Sequence, residues 1–159
     1  MNKHEIISIL DEDGIDLFGE FLDDLLVKAK SDLNAKIHYT FLMRIFELLQ
    51  NADIDVLSNE KTQIDIKVNG FVRTKRYQIV TLLQKKPIYE LRYALSGNEH
   101  LRLLFFPIEY KSISFYVFSK AFIKTRVPSK DDTNKMRDLM HTLYLKVYAE
   151  PQNYLEEEE

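Results

Sequence analysis

The chain reads as an α+β domain, built as a small antiparallel (mixed) sheet of about five strands with a two-helix N-terminal hairpin packed on it and a C-terminal helix. Apolar residues recur at helical spacing from Leu17 to Leu26 and again through Ile37, Phe41, Ile45, Leu48 and Leu49. Three runs rich in Phe, Tyr, Leu, Ile and Val follow at 88–93, 100–106 and 115–127, separated by turn residues. Helical spacing then returns at Met136, Leu139, Met140, Leu143 and Val147. A 3.6-residue period marks a one-sided helix, and aromatic or β-branched runs bounded by turn residues mark neighbouring strands.

Each element has its own local reason. Residues 5–10 are apolar and run into Asp11-Glu12-Asp13-Gly14, a turn signal, so a first strand is expected. Asp16 and Glu20 sit where acids suit the positive end of the first helix. Ser31-Asp32 opens a second helix that fades at Asn51 and is long enough to pair with the first. Ile64, Ile66 and Val68 alternate with polar residues before Asn69-Gly70, a strong hairpin signal, and residues 71–76 are the returning strand. Residues 77–83 fit a strand or a short helix equally well. Ser96-Gly97-Asn98 and residues 109–112 connect the three long strands. Pro128 closes the last of them, and residues 129–132 provide N-cap side chains for the final helix. Pro151 ends that helix, and the tail to Glu159, with four terminal glutamates, is expected to be disordered.

At 159 residues and 45% hydrophobic content the chain forms one domain, residues 1–150, with an extended segment near 57–86. It has no cysteine, so disulfide frameworks and thiolate metal sites are excluded. No apolar run reaches the roughly 18 residues of a membrane span, and the first residues lack a signal-peptide core, so a cytoplasmic protein is expected. The formal charge of -3 conceals an asymmetry. Residues 61–130 hold fourteen Lys and Arg against four acids, whereas residues 1–49 hold five basic and ten acidic side chains. A binding face is set by local potential over about 10 Å, so this basic middle points to a nucleic-acid backbone as partner.

Asp11 to Gly14, Phe21-Leu22-Asp23-Asp24-Leu25, Tyr89-Glu90-Leu91-Arg92, Arg102-Leu103-Leu104-Phe105-Phe106 and Phe122-Ile123-Lys124 ahead of Pro128 occur in that order. In order and spacing these segments, covering about residues 4–148, resemble the RelE/ParE toxin superfamily and its phage-derived HigB-like branch. The resemblance implies a RelE-like fold and a type II toxin that cleaves mRNA on the ribosome without metal or other cofactor. It also implies a small helix-turn-helix antitoxin as partner. The chain departs from the pattern at Lys120, where the family commonly has His, at Lys124-Thr125-Arg126 in place of a lysine pair, and in the longer 57–86 segment.

Metal-free RNA cleavage uses the 2′-hydroxyl as nucleophile, and needs a base for it, cations for the phosphorane and a proton donor for the leaving oxygen. Arg92, Arg102, Lys120 and Lys124 are the catalytic candidates. Arginine clamps phosphate oxygens in pairs, which suits Arg92 and Arg102 to transition-state stabilisation. Lys120 is the candidate acid/base, its pKa expected to fall through burial and neighbouring cations, and Lys124 is a phosphate contact. Arg73, Lys75, Arg76, Lys85, Lys86, Arg126 and Lys130 are candidate nucleic-acid contacts. Ordinary structural roles compete with these assignments: Arg92 lies two residues from Glu90 on one strand face, where a surface ion pair explains it, and the lysines fit strand-end solubilising positions. The four histidines show no metal-ligand spacing, and Tyr144 and Tyr148 fit core contacts. Two other functions fit the same scaffold: a ParE-like inhibitor of DNA gyrase, and a non-enzymatic phage or mobile-element binding protein.

Overall fold

The computed structural model describes residues 3–125 and 130–156, with side chains undescribed at 130–132. The element order is β1 (Glu5–Ser8), α1 (Leu17–Ala29), α2 (Leu33–Asn51), α3 (Ile54–Leu57), β2 (Thr62–Val68), β3 (Phe71–Tyr77), β4 (Val80–Leu82), β5 (Tyr89–Ala94), β6 (His100–Tyr110), β7 (Ile113–Lys124), α4 (Lys130–Ala149) and α5 (Gln152–Leu155). Five strands form one sheet in the order β1-β7-β6-β5-β4, and β2 and β3 form a separate two-stranded sheet. The five-stranded sheet is mixed rather than antiparallel. β1 runs parallel to β7, whereas β4 to β7 are joined antiparallel. Consecutive strands joined by short turns reverse direction, but β1 and β7 are separated by most of the chain and nothing local fixes their sense.

Alternation along each strand builds two cores. Leu91, Tyr93, Leu101, Leu103, Phe105 and Phe118 pack with Phe18 and Leu25 of α1 and Phe41, Leu42, Ile45, Phe46 and Leu49 of α2. Leu104, Phe106 and Val117 point the other way and pack with Met140, Leu143 and Val147 of α4. The first core is aromatic at its centre, with Phe118 stacked on Phe18 at 4.5 Å and on Phe105 at 4.7 Å between ring centroids. Full burial of one such ring contributes about 1.5–3 kcal/mol.

Caps and turns fall where the residue types demand. Asp16 accepts from the Gly19 amide at the start of α1, and Asp32 accepts from the Asn34 amide at the start of α2. Asn69 and Gly70 both take positive φ, 51° and 84°, in the β2–β3 turn. The β6–β7 turn reaches the same geometry without glycine, at Lys111 (φ 51°) and Ser112 (φ 65°). Of the segment at 77–83, Tyr77 ends β3 and Val80–Leu82 form β4, and α3 was not anticipated. The tail differs from expectation: α5 follows Pro151, Leu155 is buried at 8% exposure, and Glu156 binds Tyr110 and Lys111. Leu155 supplies the apolar anchor that the run of glutamates conceals; residues 157–159 lie outside the described part. Tyr144 packs edge-on against Phe106, but Tyr148 is exposed. Among the described residues no helix is long and apolar enough to cross a membrane.

A bulge in β7 decides where its lysines go. Leu103 pairs with Ala121 but Phe105 pairs with Phe118, so Leu104 faces both Ser119 and Lys120. One extra residue reverses the phase of the strand beyond it. Tyr116 and Phe118 join the α1–α2 core, yet Ala121 joins that same core and Phe122 turns to the α4 side. Lys124, two residues on from Phe122, follows it.

Candidate functional site

Glu90 and Arg92 on β5 and Arg102 on β6 occupy the α4-facing phase of their strands, beside Leu104 and Phe106. Lys124 joins them from the end of β7. α4 covers the apolar part of this face with Met140 and Leu143, and its N-terminal half stands over the polar part. Between them lies a cleft of about 330 Å³ lined by Leu83, Gln84, Glu90, Arg92, Lys124, Thr133, Asn134 and Arg137.

Glu90 is the centre of this site. Its side chain is 2% exposed, and Oε1 accepts from Arg92 Nε at 2.9 Å and meets Arg102 Nε at 3.4 Å. The second contact is an ion pair without hydrogen-bond geometry, because Arg102 Nε has no hydrogen-bond partner. Glu90 Oε2 and Thr133 Oγ1 are also buried without partners. A buried polar atom left unpaired costs about 1–3 kcal/mol, and here two of the three belong to residues lining one cleft while the third contacts Glu90. That concentration is what a polar ligand would relieve. Burial pulls the Arg102 pKa down and Arg92 adds to this, opposed by Glu90 and Tyr77; the guanidinium stays charged in any case.

The basic residues expected from sequence divide into groups. Arg92, Arg102 and Lys124 come together around Glu90. Lys85 lies beside the cleft, where its Nζ is 3.3 Å from Asp138 Oδ1, and Lys86 precedes Pro87 in the same loop. Lys75 is turned inward: its Nζ lies 4.2 Å from the Tyr93 ring centroid and donates to the Ala94 carbonyl, so it clamps the β2–β3 hairpin to the main sheet. Arg73 and Arg76 stay exposed on β3. Arg126 and the Lys130 side chain lie outside the described residues.

Lys120 corrects the sequence-based expectation. It is 3% exposed, and its Nζ donates to Asp11 Oδ2 at 2.9 Å and Glu12 Oε1 at 2.6 Å. Burial alone lowers its pKa, but hydrogen bonds and the charges of Asp11 and Glu12 outweigh burial and raise it. The expected crowding by cations is replaced by two anions, which the turn after β1 brings to Lys120. Lys120 ties the loop after β1 to β7, and does not line the cleft. Asp11, Glu12 and Asp13 also gather three carboxylate oxygens within 4.8 Å, with Lys120 already supplying a cation there.

Glu90, Thr133 and Arg137 were missed as site residues. The sequence alone shows Glu90 only as the partner of a surface arginine, whereas Thr133, Asn134 and Arg137 of α4 close the cleft over it. Thr133, Arg137, Met140 and Tyr144 fall at i, i+4, i+7 and i+11, a helical stripe that places the first two on the sheet-facing side. A larger cavity of about 560 Å³ borders β1 and α5. Its lining lysine, Lys111, is already bound to Glu156, and its aromatic residues form no convergent polar cluster. The Glu90 cleft is the better chemical site. Comparison with protein-family models, with curated proteins and with solved structures yields no match to this chain.

Proposed function

We propose that the chain is an endoribonuclease toxin of a type II toxin–antitoxin system, cutting mRNA on the ribosome through the RNA's own 2′-hydroxyl. The observation that carries the reading is Glu90, a carboxylate buried at 1% exposure with one oxygen unpartnered among Arg92, Arg102 and Lys124. In this mechanism Glu90 Oε2 takes the proton of the 2′-hydroxyl as O2′ attacks the adjacent phosphorus. The P–O5′ bond breaks, the Lys124 ammonium gives its proton to the departing 5′-oxygen, and a 2′,3′-cyclic phosphate remains. Arg92 and Arg102 face the charge that builds on the phosphorane, which they hold better than water because their positions are already fixed. Deoxyribose has no hydroxyl for Glu90, so DNA leaves its oxygen unpaired, which favours RNA. The sequence resemblance implies a helix-turn-helix antitoxin as the neutralising partner.

Controlled expression with mapping of mRNA 5′ ends tests this. Growth arrest with new ends inside translated codons, abolished by Glu90→Gln, is the expected result; normal growth with intact mRNA would end the ribonuclease reading. A second reading, a binding module without catalysis, is favoured by the hairpin tip, where Phe71 is 71% and Val72 69% exposed beside Arg73. That reading gives no toxicity and no loss of binding in Glu90→Gln.

A further inference from the structure

Beside the Glu90 cleft, Asp138 of α4 places one carboxylate oxygen between two cations from opposite walls. Oδ1 accepts from Arg137 Nε at 3.1 Å and lies 3.0 Å from Arg137 Nη2 and 3.3 Å from Lys85 Nζ. Arg137 lines the cleft, and Lys85 follows the cleft residue Gln84. A single oxygen gripped by a guanidinium edge and an ammonium is the arrangement in which such groups hold a phosphate oxygen. Asp138 and Lys85 are about half exposed, at 49% and 46%, so the contact is a weak surface one that solvent already screens. Hydrogen bonds from Arg137, then Lys85, keep the Asp138 carboxyl below its ordinary range, so it stays an anion there.

We propose that Lys85 and Arg137 form a second phosphate subsite adjoining the cleft, with Asp138 as the internal anion that an RNA phosphate displaces. The subsite rests on the reading of the cleft as a nucleic-acid site, but not on catalysis. It gives an extended strand two anchor points, one phosphate at Arg92 and Lys124 and another at Lys85 and Arg137. Its ligand is a single-stranded polynucleotide, since the two sets of cations line one cleft and its border.

The distinguishing consequence is a gain of affinity. Removing the Asp138 charge strips an internal competitor, whereas a merely structural Asp138 would weaken binding when lost. The test is fluorescence anisotropy of a short 2′-O-methyl oligoribonucleotide, which cannot be cut, across a salt series. Asp138→Asn is expected to bind about three- to tenfold tighter at low salt, and Lys85→Gln and Arg137→Gln to bind more weakly with a smaller salt slope. In the Lys85→Gln/Arg137→Gln background the gain should vanish. Glu47→Gln is the control for net charge: it breaks a similar surface pair with Arg44 on α2, across the sheet, and should change nothing. Unchanged or weaker binding by Asp138→Asn, an equal gain in Glu47→Gln, a gain that survives without both cations, or no binding by the parent chain would each overturn the subsite. If the gain appears while the corresponding RNA is never cut, the subsite stands and the ribonuclease reading falls.

Discussion

Glu90 and Arg92 stand two residues apart on β5, joined at 2.9 Å, yet one is 2% and the other 46% exposed. The pair reaches from the interior of the sheet–helix interface to the edge of the cleft. An acid held this way is only half neutralised, because Arg92 and Arg102 both engage Oε1 and leave the buried Oε2 without a partner.

Glu90→Gln keeps the volume and removes the base. RNA cleavage should fall about 10²- to 10⁴-fold, and stability by about 2 kcal/mol because Arg102 loses its buried counter-charge. Arg92→Gln separates the two effects. At 46% exposure its ion pair contributes at most about 1 kcal/mol after screening, so urea midpoints should barely move while cleavage falls at least tenfold. Equal losses of stability in both variants would contradict this division.

Lys120→Met leaves Asp11 as a buried carboxylate without its cation, and should cost about 3–5 kcal/mol in denaturant titrations. Its effect on cleavage should track the folded fraction. Were Lys120 the acid/base, a fully folded variant would be inactive.

The same pair predicts an acid-sensitive stability. Burial pushes the Asp11 carboxyl up, but the Lys120 hydrogen bond and the amides of Ile15 and Asp13 outweigh it and bring the pKa below the ordinary range. A depressed carboxyl stabilises the fold above its unfolded pKa of about 3.9, and the contribution disappears as pH falls through the lower folded value. Lys120, raised, contributes fully below about 10.4 and loses its share as pH climbs through its folded pKa. Urea midpoints measured from pH 2 to 6 should therefore fall more steeply in the parent chain than in Lys120→Met.

His38 has the opposite chemistry. Burial lowers its pKa, and the Lys75 charge adds to the shift, while Nδ1 meets the Tyr93 hydroxyl at 2.7 Å. The folded chain holds this imidazole neutral, so its contribution is full above the unfolded pKa of about 6.5 and falls away as acidification drives it through the folded value. His38→Gln keeps a partner for Tyr93 and should flatten the urea-midpoint curve between pH 5 and 7; an unchanged slope would assign that dependence elsewhere.

Ser112 sits at φ 65° in the two-residue β6–β7 turn. Ser112→Gly removes the Cβ from a left-handed position and should raise stability by about 1 kcal/mol, read as an increase in Tm.

Much of the fold was legible because its signals are local. The Asn69-Gly70 turn, the caps at Asp16 and Asp32 and the stripe from Met136 to Val147 each act within a few residues. The parallel pairing of β1 with β7 was not, since no neighbouring residue encodes it. Of the site, Arg92, Arg102 and Lys124 were readable as cations on strands, but the organising acid was not. Glu90 owes its role to burial beneath a distant helix, and Lys120 lost its expected role to Asp11 and Glu12, which the pairing of β1 with β7 brings to it from the other end of the sequence.

The bulge at Ser119 and Lys120 makes β7 two strands spliced out of phase. Straightening β7 without shortening it, so that Ser119 and Lys120 each took a separate place against β6, would bring Lys124 into the phase of the α1–α2 core and swing Ile123 toward α4. The far end of the strand would present grease where it now presents charge. Pairing at this point is therefore as much a determinant of the site as residue identity: Lys124 keeps its phase only while Ala121 stays opposite Leu103.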